Sequence, residues 1–131
     1  MFTRFSPAAK RVLRLAEQEC RNHSHYYVGV EHLMFALCAE PDAATSAELR
    51  ALNVDCQLLH AALRSSLGTG DDRMWEGILV TPRVRTIVGL AEEAAGSEAV
   101  EPVHLLRAIV RENGSVAAEL LQGELVQRRT G

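Results

Sequence analysis

Two histidines stand before leucines at matched places, His32-Leu33 and His104-Leu105-Leu106, and a cysteine, Cys38, follows the first by six residues. A histidine beside a thiol could serve as the base of a nucleophilic hydrolase. That chemistry needs nucleophile and base within hydrogen-bond reach and a third group to orient the base. No such trio can be assembled at both matched positions, so no catalytic residue is assigned. His32 and His104 are expected to be structural, hydrogen-bonding across a helix–helix joint, as buried polar side chains must find partners. His23 and His25, two residues apart, could ligate a metal with Cys20. No second ligand pair completes a set, so neither a metal nor a cofactor is expected. Glu31 falls in the first turn of a helix, where the helix dipole already favours a carboxylate.

These residues belong to a pattern that occurs twice. Ser6-Pro7 opens a segment running through Leu15-Ala16-Glu17 to Val28 and His32-Leu33. Thr81-Pro82 opens another, through Leu90-Ala91-Glu92 to Val100 and His104-Leu105. His104 follows His32 at a spacing three residues shorter than that between Ser6 and Thr81, so the second copy has lost three residues between its helices. Ala36/Ala108, Glu40/Glu112 and Leu49/Leu121 continue the match. A repeat unit usually cannot bury its apolar face alone, so two copies imply one pseudo-twofold helical domain.

The elements follow from local chemistry. Ser6 is a capping residue and Pro7 is preorganised for a first helical position. Ala9, Val12, Leu13, Ala16 and Cys20 then recur at helical spacing as an inward face, to about Asn22. His23 to Gly29 reads as a loop. A second helix covers about 30–39 with Leu33, Met34, Ala36 and Leu37 inward, broken by Pro41-Asp42. A third covers about 43–52. Asp55 caps a fourth with Leu58, Leu59, Ala62, Leu63 and Leu67 inward. Gly68-Thr69-Gly70-Asp71-Asp72 is the one linker composition, with Trp75 and Ile78-Leu79 anchoring it back on the domain. Thr81-Pro82 starts the fifth helix, with Val84, Ile87, Val88 and Ala91 inward and Gly96-Ser97 ending it. Pro102 starts the sixth, around Leu105, Leu106, Ala108 and Ile109. Asn113-Gly114 turns the chain, 116–121 form a seventh helix, and little is left for an eighth beyond Val126. Leu13, Leu33, Leu37, Leu90, Leu105 and Ile109 are expected to meet at the joint between the halves. The division is therefore repeat one at 1–67, linker at 68–79 and repeat two at 80–131, all within a single domain.

Composition agrees. At 131 residues the chain is long enough for one core. Aromatics are only 5% against 47% apolar residues, so the core must be built from Leu, Val and Ala, which suits closely packed helices. A net charge of −3, with basic residues matched by acidic ones throughout, gives no reason to expect nucleic acid. No apolar run approaches the roughly 20 residues that span a bilayer, so no membrane partner is expected. The start, Met1-Phe2-Thr3-Arg4, lacks the apolar core of a signal peptide. Three widely spaced cysteines, Cys20, Cys38 and Cys56, fit buried thiols in a reducing cytoplasm better than a disulfide framework.

Met1-Phe2-Thr3-Arg4-Phe5-Ser6, Val12-Leu13-Leu15-Ala16-Glu17, Tyr27-Val28-Gly29-Val30-Glu31-His32-Leu33, Thr81-Pro82-Arg83, His104-Leu105-Leu106, Val116-Ala117-Ala118 and Leu120-Leu121 together resemble the double Clp-N repeat. This is the substrate- and adaptor-binding N-terminal domain of Clp unfoldases of the AAA+ class, particularly the ClpC type. The resemblance covers nearly the whole chain. It implies an all-α fold of two pseudosymmetric four-helix repeats packed as one domain, the last helix short. No GxxxxGK[ST] phosphate-binding loop is present, so the chain cannot unfold anything by itself and is either free-standing or an excised domain. The family pattern Gly-Thr-Glu-His-Leu becomes Gly29-Val30-Glu31-His32-Leu33 in repeat one and Glu101-Pro102-Val103-His104-Leu105 in repeat two.

In ClpC-like domains the glutamate matching Glu31 binds the guanidinium of a phosphorylated arginine, a degradation mark. The resemblance implies the same for Glu31, with Ser6 and its helix start as phosphate partner in repeat one. In repeat two Thr81 survives, but Val103 replaces the glutamate, so at most one site is expected. Residues matching Phe2 and Val80 flank a groove between the repeats that takes adaptors and cyclic-peptide antibiotics; Val80 replaces the usual aromatic, which implies a shallower groove. The implied function is a non-enzymatic, cytoplasmic protein-binding module of the Clp proteolytic system. Its partners would be Clp adaptors, unfolded or marked substrates, and Clp ATPase or peptidase subunits. The alternatives are an architectural accessory subunit of a Clp complex and a decoy that binds the ligands of such domains.

Overall fold

The computed structural model describes residues 3–22, 27–52, 54–67 and 79–112. Six helices and two very short strands occupy them: α1 (Pro7–Asn22), β1 (Tyr27–Val28), α2 (Val30–Ala39), α3 (Ala43–Ala51), α4 (Cys56–Leu67), β2 (Leu79–Val80), α5 (Pro82–Ala95) and α6 (Pro102–Glu112). The fold is all-α, the strands being two-residue pairings that hold helix starts together. Phe2, Trp75, the Gly68–Asp72 stretch and the expected seventh and eighth helices lie outside the described residues.

Helix starts obey their caps. Ser6 Oγ accepts from the Ala9 amide at 3.1 Å, Asp42 from Thr45 at 2.9 Å, Asp55 from Gln57 at 2.9 Å and Thr81 from Val84 at 3.2 Å. Each bond satisfies one of the amide groups that a first helical turn leaves without an intrahelical partner. Gly96 closes α5 with φ +62°, a conformation in which a Cβ would be strained.

The two halves are joined crosswise. Phe5, just before α1, bridges to Val100, just before α6. Symmetrically, Val80, just before α5, pairs in parallel with Val28, just before α2, and Leu79, expected at the end of the linker, pairs with Tyr27. The segment ahead of the first helix of each repeat thus lies against the segment ahead of the second helix of the other. Each half also ties its first helix to the end of its second by an arginine–carboxylate pair, Arg11 with Glu40 and Arg83 with Glu112, both at 2.8 Å.

The core centres on α2, which packs against α1, α4 and α6. Being covered on several sides, it buries Val30, His32, Phe35 and Cys38 as well as the expected Leu33, Met34, Ala36 and Leu37. Leu33, Leu37, Leu105 and Ile109 are buried as expected. Leu13 and Leu90 are only half-buried. The buried stripe of α1 runs through Ala9, Val12, Ala16, Glu19 and Cys20. Leu13 lies ~20° beyond Cys20 on the helical wheel, at the outer edge of that stripe. Leu58 was expected inside and is 56% exposed, because Leu59 and Leu63 are the residues of α4 in the core.

Candidate functional site

The crossed joints create two junctions with related backbones and different side chains. In the first, the starts of α1 and α6 meet. Val100 N–H donates to the Arg4 carbonyl at 2.8 Å, and Ser6 N–H donates to the Val100 carbonyl at 3.0 Å. Arg4 secures the loop after α5 by donating to the carbonyls of Gly96 and Glu98. In the second, the starts of α5 and α2 meet, and Thr81 N–H donates to the Val28 carbonyl at 3.1 Å.

The histidines belong to this architecture. Gly29 N–H donates to His32 Nδ1 and Glu101 N–H donates to His104 Nδ1, each at 2.9 Å. Each imidazole therefore caps an amide three residues back in its own helix start, with Nε2 left to carry the ring proton. They are structural as expected, although this bond is local and does not cross the joint.

Side chains make the junctions unequal. In the first, Ser6 Oγ donates to Glu101 Oε2 at 2.9 Å while accepting from Ala9, so both functions of the hydroxyl are used. Ser6 is buried and Val103, the residue standing for the missing glutamate, is buried beside Pro102. A carboxylate thus already sits at the positive end of α1. In the second junction the position matching Glu101 is Gly29, which has no side chain to reach Thr81. Thr81 is half-buried and caps α5. Val80 is half-buried against the core. Glu31 lies three residues beyond Val28, in the first turn of α2, half-buried. It makes no side-chain hydrogen bond or ion pair with any other described residue.

The structure therefore groups the expected site residues differently from the repeat arithmetic. Glu31 shares its junction with Thr81 and Val80, whereas Ser6 lies at the other, opposite Val100 and Glu101. Phe2 lies outside the described residues. Glu101 went unnoticed as a site residue, and its place in a position otherwise held by glycine was the available signal.

Among the described residues no three His, Cys, Asp or Glu side chains cluster to hold a metal, and no helix is long and apolar enough to cross a membrane. Cys38 faces Cys56 of α4 and not a histidine of either junction.

Comparison with known proteins agrees with this architecture. The Clp repeat (R) N-terminal domain family matches residues 4–124. The chain is 32% identical over 124 residues to the negative regulator of genetic competence ClpC/MecB of Bacillus subtilis, covering 92% of this chain and 15% of that protein. It is 29% identical over 125 residues to the chloroplastic chaperone protein ClpC of Pisum sativum, covering 93% of this chain and 14% of that one. It thus spans only a small part of the curated relatives it matches. Among solved structures, the N-terminal domain of the chaperone ClpD from Arabidopsis thaliana superimposes with a TM-score of 0.61 at 16% identity, covering 98% of this chain and 99% of that one. A structure from a study of the ATPase ClpV in type VI secretion gives 0.71 at 21% identity, covering 95% and 81%. At such identities these likenesses speak for the fold. With a family match over nearly its full length, the chain belongs to the Clp repeat (R) N-terminal domain family.

Proposed function

We propose that this chain is a non-enzymatic protein-binding module of a cytoplasmic Clp system, docking adaptors or substrates for an AAA+ unfoldase, and that it holds one arginine-phosphorylated residue per chain. The observation that carries the reading is the inequality of the two junctions. Glu31 is an uncommitted carboxylate able to take a guanidinium in a bidentate fork. Thr81, whose N–H reaches the Val28 carbonyl across the same junction, and the first turn of α5 offer hydroxyl and amide donors to a phosphate. At the opposite junction Val103 cannot hold a cation, and Glu101 already occupies Ser6. The ligand therefore bridges Glu31 and the Thr81 helix start, with Val80 contributing an apolar flank for the surrounding polypeptide.

Isothermal titration with phosphoarginine tests this. Glu31→Gln keeps the shape but replaces a charge-assisted bond with a neutral one, so affinity should fall by about 1–2 kcal/mol, near tenfold. Unchanged affinity in that variant, or no binding by the parent, overturns the assignment. An architectural subunit would instead recover only Clp subunits in a pull-down, with no adaptor or unfolded client.

A further inference from the structure

At the far end of α2 from Glu31, a second feature plays no part in docking. Cys38 is in the last turn of α2 and Cys56 is the first residue of α4, directly after its Asp55 cap. Neither is in a disulfide, and both side chains line one and the same cleft between α2 and α4. The cleft, of about 190 Å³, is lined by Cys38, Ala39, Cys56, Gln57 and His60. Cys20, on α1, does not line it.

We propose that Cys56 and Cys38 are a redox-active pair that closes reversibly to a disulfide by exchange with small-molecule disulfides of the glutathione type entering this cleft. The two thiols are placed for different tasks. Both line the cleft, but Cys56 is half-buried whereas Cys38 is only 7% exposed. Cys56 also stands at a helix start, where the dipole favours a thiolate. The Cys38 hydrogen bond draws its pKa down to about 7, against the opposing effects of partial burial and the Asp55 charge. Cys38 moves the other way, its pKa raised by the hydrogen bond to Cys56 and by burial. Cys56 is therefore the attacking sulfur and Cys38 the resolving one.

The exchange balances without a further reagent. The Cys56 thiolate attacks one sulfur of the small disulfide, forming a mixed disulfide and expelling one thiolate. Cys38 then attacks Cys56 Sγ, the Cys56–glutathione bond breaks, and the Cys38 proton passes to the departing thiolate. Two electrons move from the cysteine pair to the small disulfide, which leaves as one thiolate and one thiol. The new bond would tie the end of α2 to the start of α4, and reduced thiol reverses it. Seven residues of α2 separate Cys38 from Glu31, about 10 Å along the helix, so the thiols lie outside the junction where the ligand is held.

Mass spectrometry of the folded chain across a series of glutathione redox buffers tests the proposal. The parent should lose the mass of two hydrogens and yield a cross-linked Cys38–Cys56 peptide, with Cys20 left as a thiol. Cys38→Ser should trap glutathione on Cys56, and Cys56→Ser should slow adduct formation at Cys38 by about tenfold or more. Failure of the folded parent to form this cross-link, or its formation through Cys20, overturns the proposal without reference to any variant. Far-UV circular dichroism of each variant confirms that the chain tested is folded, and a folded Cys38→Ser chain without an adduct on Cys56 is equally fatal to it.

Discussion

Leu33 and Leu105 occupy matched places in α2 and α6, at 2% and 0% exposure, where the halves pack. Truncating either to alanine removes buried methyl groups and leaves a cavity in contact with the opposite half. For side chains buried this completely the loss is about 2–5 kcal/mol. We expect about 3 kcal/mol for each, a large share of the roughly 5–15 kcal/mol that holds a domain together. Leu58→Ala is the control. At 56% exposure on α4 it should cost less than about 0.5 kcal/mol. Urea unfolding followed by far-UV circular dichroism measures all three, the variants shifting the midpoint while keeping the parent's slope. Midpoints of Leu33→Ala and Leu105→Ala that match the parent would refute the assigned packing, as would a Leu58→Ala loss as large as theirs.

Two other perturbations follow. Ser6→Ala should cost more than Thr81→Ala: both remove a cap worth about 1 kcal/mol, but only the first also strands the Glu101 carboxylate, and the difference is read from paired denaturation curves. Alkylation of Cys56 by iodoacetamide should rise with pH as the thiolate forms and reach half its plateau near pH 7, with Cys38, Asp55 and His60 as its titratable surroundings. A midpoint near the ordinary thiol value of about 8.5 would remove the special environment claimed for it.

Much of the fold was legible because helix starts are encoded locally. Ser6-Pro7, Asp42, Asp55 and Thr81-Pro82 each carry an oxygen acceptor where a first turn needs one, and the helices begin there. The inward faces of α2, α5 and α6 followed from spacing. Leu13 did not, because spacing alone cannot choose between neighbours such as Val12 and Leu13 at the edge of a stripe. Nor could the crossing of the halves be read from the repeat. Matching Ser6 with Thr81 says which residues are equivalent and not which junction each one enters; the bonds from Ser6 to Val100 and from Thr81 to Val28 decide that. The role of Glu101 depends on the same crossing, since only there does its carboxylate come within reach of Ser6. The Cys38–Cys56 contact was equally hidden, because it depends on how α2 and α4 pack and not on any sequence periodicity.

The central claim is that one junction binds and the other is filled from within. Amide chemical-shift mapping during a phosphoarginine titration tests it most directly. The account predicts shifts confined to the Val30–His32 and Thr81–Val84 amides, saturating at one ligand per chain, with the Ser6–Ala9 amides unmoved. Shifts at both junctions with two ligands bound, or shifts centred on Ser6 alone, would contradict it.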